Sequence, residues 1–386
     1  MQHIIPILKH SLSLTLQHFF PLAATLLSPP KPHKPHILYV DGDSIPFIVA
    51  KSTSSFTQLV SHTSKNVKDL HPLVPKLPKS RSLEDGTSLL SLLSIQVTLL
   101  SNSGFSICVN FNHVVADGKA FHHFMKSWSS LCRTKGDLTS LKGLLPFHDR
   151  AMIVDPKNLE LCFLNEFWNW PSEQREKTKN DPLEDKVRGT FILSHEQVQK
   201  VRKWVSTKSE QNIAKDNECH EKSDEVYNFA FPVDCRNRFG FPIPSTYFGN
   251  CLISHSVALK RDALVEENGV LEAIKAIGNK VKELEFGVME GAEKWISNYR
   301  ESRKLEQRRL TVAGSTRLGV YETDFGWGRP LKSEVVHIDA SGSISLSDCR
   351  NKEGEVEVGL ALGRAQMNDF NAILRNTMKN LQNDEF

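Results

Sequence analysis

His113 and Asp117, four positions apart in HVVADG (113–118), are the residues of this chain best suited to moving a proton. An imidazole titrates near neutrality, so it can take a proton from an attacking hydroxyl and pass it to a leaving group. The bare His-x-x-x-Asp spacing carries little weight, because with fifteen histidines it is expected about once by chance. A core histidine satisfied by internal hydrogen bonds is the alternative for His113, and a routine turn former for Asp117. Far downstream, Asp324, Phe325, Gly326, Trp327 and Gly328 form DFGWG. Two glycines around a tryptophan imply a backbone that turns tightly or approaches something closely. A purely structural aromatic turn explains it equally well. No GxSxG elbow is present, which argues against a Ser-His-Asp hydrolase.

The elements that must hold these residues can be read from periodicity. In FSICVNFN (105–112), Phe105, Ile107, Val109 and Phe111 alternate with Ser106, Cys108, Asn110 and Asn112, the period of a half-buried strand. His113 then falls at the strand end. Asp117 and Gly118 form a turn, and Ala120–Leu131 carries Phe121, Phe124, Met125 and Trp128 at helical spacing. An imidazole at the end of a rigid strand is well placed to act on a bound group. Upstream, Leu8, Leu12, Leu16 and Phe19 or Phe20 fall along one stripe of an apolar segment broken by Lys9, His10, Gln17 and His18. This predicts an amphipathic core helix, with a signal peptide as the alternative. Ile37–Ala50 predicts a strand pair around Asp41-Gly42-Asp43, and Leu89–Leu99 a strand. HPLVPKLPK (71–79) is too proline-rich to be regular.

Charge is nearly balanced, with 48 Lys and Arg against 45 Asp and Glu and a net +3, so no case arises for nucleic acid or an anionic membrane. Seven cysteines are scattered without CxxC spacing, which points to a reduced, cytosolic protein. No metal-ligand cluster is expected; His122-His123 fit a helix face. The 386 residues predict two or three domain-sized units. The sharpest compositional break is the charged run 172–186, which divides the chain into 1–171, with HVVADG, and 187–386, with DFGWG. A second polar run covers Ser206–Asp224. Beyond it come strands at Glu225–Arg236 and in LISHSVAL, a helical region over Asp262–Arg303 broken near Gly287 and Gly291, and a closing strand and helix. Strands and helices without strict βαβ alternation imply an α+β or mixed α/β architecture.

HVVADG (113–118) and DFGWGRP (324–330), in this order, resemble the two signatures of the plant BAHD acyl-CoA-dependent acyltransferases. VDCRNR (233–238), TYFGNC (246–251) and LTVAGS (310–315) resemble the subgroup acting on anthocyanins, flavonoid glucosides and other phenolic glucosides, often with malonyl-CoA. VDGDS (40–44) and HPLVPKLP (71–78) are similar too, so the resemblance runs over nearly the whole chain. DFG also occurs in protein kinases, but no Gly-rich loop or HRD loop accompanies it.

The resemblance implies a chloramphenicol-acetyltransferase-like fold of two similar-sized lobes, each with mixed sheets and helices, joined by a crossover loop. It implies direct acyl transfer from a CoA thioester to a hydroxyl, with His113 as base. Asp117 either orients His113 or, as the family pattern implies, points away and pairs with an arginine of the second half, for which Arg236 is the chosen position. DFGWG is implied to support the site near the CoA channel. Ser315 and Arg317 match a stretch that helps bind CoA or the acyl carboxylate, although Thr316 stands where proline is usual; a solvated Arg317 is the alternative. Arg188 is a further candidate for CoA phosphates. No cofactor is implied to be bound; acyl-CoA, foremost malonyl-CoA, is the co-substrate, a phenolic glucoside the acceptor, and the protein a cytosolic monomer. A hydroxycinnamoyl or acetyl donor is the runner-up. Two departures, a start inside the first helix and a polar run where a hydrophobic helical segment is usual, leave a truncated, non-catalytic relative as the other reading.

Overall fold

Ile4–His18 forms a helix that buries Leu8, Ser11, Leu12 and Thr15, the apolar-stripe spacing of an amphipathic core helix. Trp128 Nε1 crosses to it, donating to Leu8 O and Ser11 Oγ, each at 3.2 Å. The computed structural model describes residues 3–101, 103–155, 157–170, 185–211, 225–266, 268–304 and 308–383. It divides into two compact units. The first comprises Met1–Val154, Ile243–Cys251 and Thr316–Val336; the second comprises Asp155–Pro242, Leu252–Ser315 and His337–Phe386. The units therefore differ from the contiguous division read from composition: DFGWG belongs with the first unit. Residues 172–184 of the expected linker lie outside the described residues, and Lys186 already starts a strand. Of the second polar run, Ser206–Gln211 ends a helix and the remainder lies outside the described residues.

The first unit contains strands β1 (Thr25–Ser28), β2 (His36–Leu38), β3 (Phe47–Ser52), β4 (Lys65–Asn66), β5 (Arg81–Ser82), β6 (Ser88–Ser91), β7 (Leu93–Leu100) and β8 (Gly104–Phe111). One antiparallel sheet has the order β2-β1-β6-β5. Another has the order β3-β7-β8, with β3 parallel and β8 antiparallel to β7. The two strands expected at 37–50 form but do not pair with each other. After the turn closed by Val40 N and Asp43 Oδ2 (2.9 Å), an irregular stretch through Pro46 carries the chain from one sheet to the other. The strand expected over Leu89–Leu99 is likewise split at the buried Leu92, its halves serving different sheets.

β8 matches the predicted strand within one residue, yet its burial does not alternate. Both faces are covered. Phe105, Ile107, Val109 and Phe111 pack on the hydrophobic core. On the polar face lies the proline-rich 71–79 segment, held by Gln96 Nε2 to Pro72 O and Asn110 Nδ2 to Pro75 O, both 2.9 Å. That segment has no regular partner for its carbonyls, so side-chain amides supply the donors. The helix Gly118–Arg133 buries Ala120, Phe124, Trp128, Leu131 and Cys132. Ala120, Phe124, Trp128 and Cys132 form one core with Leu8, Leu12, Phe19, Ile95 and Val97, each large side chain contributing about 1.5–3 kcal/mol on burial.

The second unit holds a mixed sheet. Its strands are β9 (Lys186–Leu193), β10 (Val226–Asp234), β11 (Leu252–Lys260), β12 (Arg308–Ser315), β13 (Ser343–Asp348) and β14 (Val356–Gly363), in the order β11-β10-β12-β13-β14-β9. Pro232 is tolerated inside β10 because β12 pairs only with Tyr227–Ala230, so no ladder bond on that side is lost. The expected helical region is interrupted near the two glycines, between Gly269–Phe286 and Trp295–Lys304, and Arg261–Val265 is a further separate helix that was not expected. The closing helix, Arg364–Asn383, sets Met367 and Phe370 against Val187, Phe191, Leu360 and Leu362. The cysteines among the described residues are free thiols, and no helix there is long and apolar enough to cross a membrane.

Candidate active site

His113 lies two residues past β8, and its side chain is exposed. The main chain around it is held on both sides. Asn112 N donates to Leu92 O at 2.8 Å, extending the sheet contact, and Asn112 Oδ1 accepts from Val114 N at 3.2 Å. Val115 N donates to Asn112 O at 3.2 Å. The His113 ring stands near Phe111, with centroids 5.9 Å apart. Among the described residues no carboxylate hydrogen-bonds this ring.

Asp117 does something else. It is buried, 1% exposed, and caps the helix Gly118–Arg133 through Oδ1, which accepts from Ala120 N at 2.9 Å. Its Oδ2 accepts from Cys251 N at 2.9 Å, and its own N–H donates to Gly249 O at 3.4 Å. The orienting bond to His113 is thus replaced by main-chain bonds at a helix start, where a carboxylate is favoured by the orphan N–H groups. Asp117 and Gly118 are a helix cap and first helical residue rather than a free-standing turn.

The stretch that meets Asp117 comes from TYFGNC. Asn250 Nδ2 donates to His113 O at 2.7 Å and to Val114 O at 3.1 Å. The stretch is tied in turn to residues 147–150. Phe147 N donates to Thr246 O at 3.0 Å, Phe248 N to Phe147 O at 2.9 Å, and Arg150 Nη1 hydrogen-bonds Phe248 O. Gly249 has φ +154°, a conformation L side chains rarely adopt. Neither Asn112 nor Asn250 stands out by spacing. The only signal was Asn250's place in a recurrent motif, because its partner is 137 residues away in sequence.

DFGWG is anchored to the opposite end of the same elements. Asp324 Oδ1 accepts from Gly326 N at 2.8 Å and Gly328 N at 3.0 Å, closing a loop in which both glycines have positive φ, +100° and +96°. Phe325 packs edge-on against Trp128 at 4.9 Å, while the exposed Trp327 stands edge-on to Phe105 at 5.5 Å. Phe105 and His113 are eight residues apart along an extended strand, roughly 25 Å at about 3.3 Å per residue. The two signatures therefore share a scaffold, with His113 far along β8 from Trp327; DFGWG braces the start of β8 and the later half of the helix.

In the second unit, Arg236 follows β10 and is 1% exposed, its Nη1 donating to Asp234 Oδ1 at 3.0 Å. Arg188 on β9 is buried as well, and its Nη1 meets Asp339 Oδ1 at 2.7 Å, both side chains 1% exposed. A CoA phosphate there would have to displace that carboxylate, so the phosphate contact expected of Arg188 gives way to a buried ion pair. Ser315 ends β12 at the positive-φ Gly314 and is half-buried; Arg317, two residues on, is exposed.

Residues 1–375 match the Transferase family. Coumaroyl-CoA:anthocyanidin 3-O-glucoside-6''-O-coumaroyltransferase 1 of Arabidopsis thaliana is 38% identical, the match covering 98% of this chain and 87% of the relative. Malonyl-coenzyme A:anthocyanin 3-O-glucoside-6''-O-malonyltransferase of Dahlia pinnata is 33% identical, over 97% and 86%. The crystal structure of vinorine synthase superimposes with a TM-score of 0.61 at 19% identity, covering 94% of this chain and 82% of that one. That of F. sporotrichioides TRI101 complexed with coenzyme A and T-2 gives 0.56 at 13%, covering 96% and 90%. These two likenesses concern the fold, which is the two-lobed, chloramphenicol-acetyltransferase-like arrangement expected from the motifs. With the family match running through both signatures, the chain belongs to the BAHD Transferase family and is an acyltransferase that takes acyl-CoA as co-substrate.

Proposed function

We propose that this enzyme transfers an acyl group from acyl-CoA to a sugar hydroxyl of an anthocyanin or other phenolic glucoside, with His113 as general base. The observation that carries the reading is His113 itself, an exposed imidazole on a turn whose peptide groups are hydrogen-bonded on both sides. The imidazole takes the hydroxyl proton as the oxygen attacks the thioester carbonyl. The C–O bond forms, the C–S bond breaks, and the imidazolium returns the proton to the CoA thiolate. A positioned base of this kind contributes about 10²–10⁴-fold. Asp117, Arg236 and DFGWG are read as supports, the scattered thiols fit a reduced, cytosolic protein, and the family resemblance implies a monomer.

Malonyl is the donor the AGSTRL stretch favours, because the exposed Arg317 offers a guanidinium fork for the second carboxylate. A hydroxycinnamoyl donor is the second reading, favoured by the 38% identity to the coumaroyltransferase against 33% to the malonyltransferase. Purified protein incubated with malonyl-CoA or p-coumaroyl-CoA and a panel of anthocyanidin and phenolic glucosides separates them by the mass increment of the product. His113→Ala should keep the fold and lose at least about 10²-fold in turnover; a parental rate would remove His113 from the chemistry. Arg317→Ala should lower kcat/KM for malonyl-CoA about 10- to 100-fold and leave p-coumaroyl-CoA untouched. No product from any donor would favour the non-catalytic reading.

A further inference from the structure

We propose that Asn250 is the positioning residue of the base: its side-chain amide sets the direction in which His113 presents its imidazole. The inference rests on reading His113 as the base and concerns how that base is held. The His113–Val114 peptide is bonded at both ends, its carbonyl by Asn250 Nδ2 at 2.7 Å and its N–H by Asn112 Oδ1 at 3.2 Å. The next peptide is also held at both ends, its carbonyl by the same Asn250 Nδ2 at 3.1 Å and its N–H by Asn112 O at 3.2 Å. Two consecutive carbonyls thus point to one side, an arrangement in which their dipoles oppose each other. A single NH2 group with two donors in one plane relieves that opposition. Fixing both peptide planes fixes the backbone torsions on either side of Val114 and the ψ of His113, and with them the exit direction of the His113 side chain.

Asn250 can do this because its neighbours are anchored independently. Asp117 accepts from Cys251 N and donates to Gly249 O, so the residues flanking Asn250 are bound to the far end of HVVADG. One three-residue stretch therefore grips the motif at its start and at its finish. Asn112 contributes from the position just past β8, but among the described residues Asn250 alone reaches both carbonyls. Asn250 and His113 are exposed, so water can replace the lost bonds when the amide is removed. The fold then loses little, whereas the base loses its aim, and misplacement by about 1 Å can cost about 10²-fold in rate.

Asn250→Asp keeps the side-chain volume and removes both donors. With an anthocyanidin 3-O-glucoside and either malonyl-CoA or p-coumaroyl-CoA, this variant should lose about 10²-fold in kcat while the KM for the CoA donor stays put. Asn250→Ser, which retains one donor, should recover part of the rate. The melting temperature should hold, and amide hydrogen exchange should speed up over 112–117 but not within Gly118–Arg133. Parental kcat in folded Asn250→Asp, a loss that appears in KM, or unaltered exchange over 112–117 would overturn the assignment. His113→Ala run alongside tells the two ideas apart. If it is inactive while Asn250→Asp is fully active, only the positioning role falls. If it is active, the reading of His113 falls too.

Discussion

His113, Asp117 and Asp324 show how little a residue type says about its role until its partners are known. Asp117 and Asp324 both belong to glycine-containing signature motifs, and both spend their carboxylates on main-chain N–H groups. Asp324 shapes its own loop. Asp117 starts a helix and binds a strand of chain from far downstream. Asp117→Ala removes the cap, worth about 0.5–2 kcal/mol, and leaves the buried Cys251 N–H without its acceptor, a further cost of about 1–3 kcal/mol. Asp117→Asn retains one carbonyl oxygen and should cost less than Asp117→Ala. Urea unfolding of the two variants gives the comparison; equal stabilities would show that the carboxylate is not the structural tie.

The elements around the site work as one lever with two fixed ends. β8 and the helix Gly118–Arg133 leave the HVVADG turn in opposite directions along the chain, and DFGWG closes their other ends through Trp327 on Phe105 and Phe325 on Trp128. The two aromatic residues of that loop should answer very differently to truncation. Phe325 is 8% exposed within the core, so Phe325→Ala should cost about 3–5 kcal/mol. Trp327 is 44% exposed and touches the edge of one ring, so Trp327→Ala should cost much less. Chemical denaturation of both variants tests this, and a comparable loss at the two positions would contradict the packing described.

Across the whole molecule, each unit is assembled from three separate stretches of chain. Phe248 and Phe325, both from late stretches, complete the core that begins with Leu8, so the first unit depends on contacts of very long sequence separation. Each unit also holds a histidine shielded from solvent, His148 half-buried and His255 buried. Burial pushes the His148 imidazole below its ordinary value, against its bond to His18 O, and Arg150 adds to the effect. Burial likewise lowers His255, which stands edge-on to Trp295 at 5.8 Å. In the unfolded chain these rings titrate near about pH 6.5, so below that value the unfolded state binds more protons than the folded one. Stability should hold above about pH 6.5 and decline as the pH falls toward the folded-state values. The carboxyls of Asp85, Asp137 and Asp155, held low by hydrogen bonds, enter only below about pH 4. Urea midpoints at pH 7.5, 6.0 and 5.0 should therefore fall, and His148→Gln should flatten the fall; a midpoint that rises on acidification would refute the account.

What could be read from the chain alone was whatever is decided by neighbours in sequence. The alternation of 105–112, the stripe from Leu8, the breaks at Gly287 and Gly291 and the two signature motifs rest on local geometry or on recurrence, and the elements they predict are present. Pairing was less legible. The strands within 37–50 and 88–100 look like continuous units, but which sheet each half joins depends on distant partners. That Asp117 turns away from His113 was implied by the resemblance, but its bond to Cys251 N and the commitment of Arg188 to Asp339 were closed to inspection of the sequence. So was the hold of Asn250 on His113, because those bonds join residues more than a hundred positions apart. Only the folded chain brings such groups within hydrogen-bond reach, and that proximity decides which polar side chain serves structure and which is left open for chemistry.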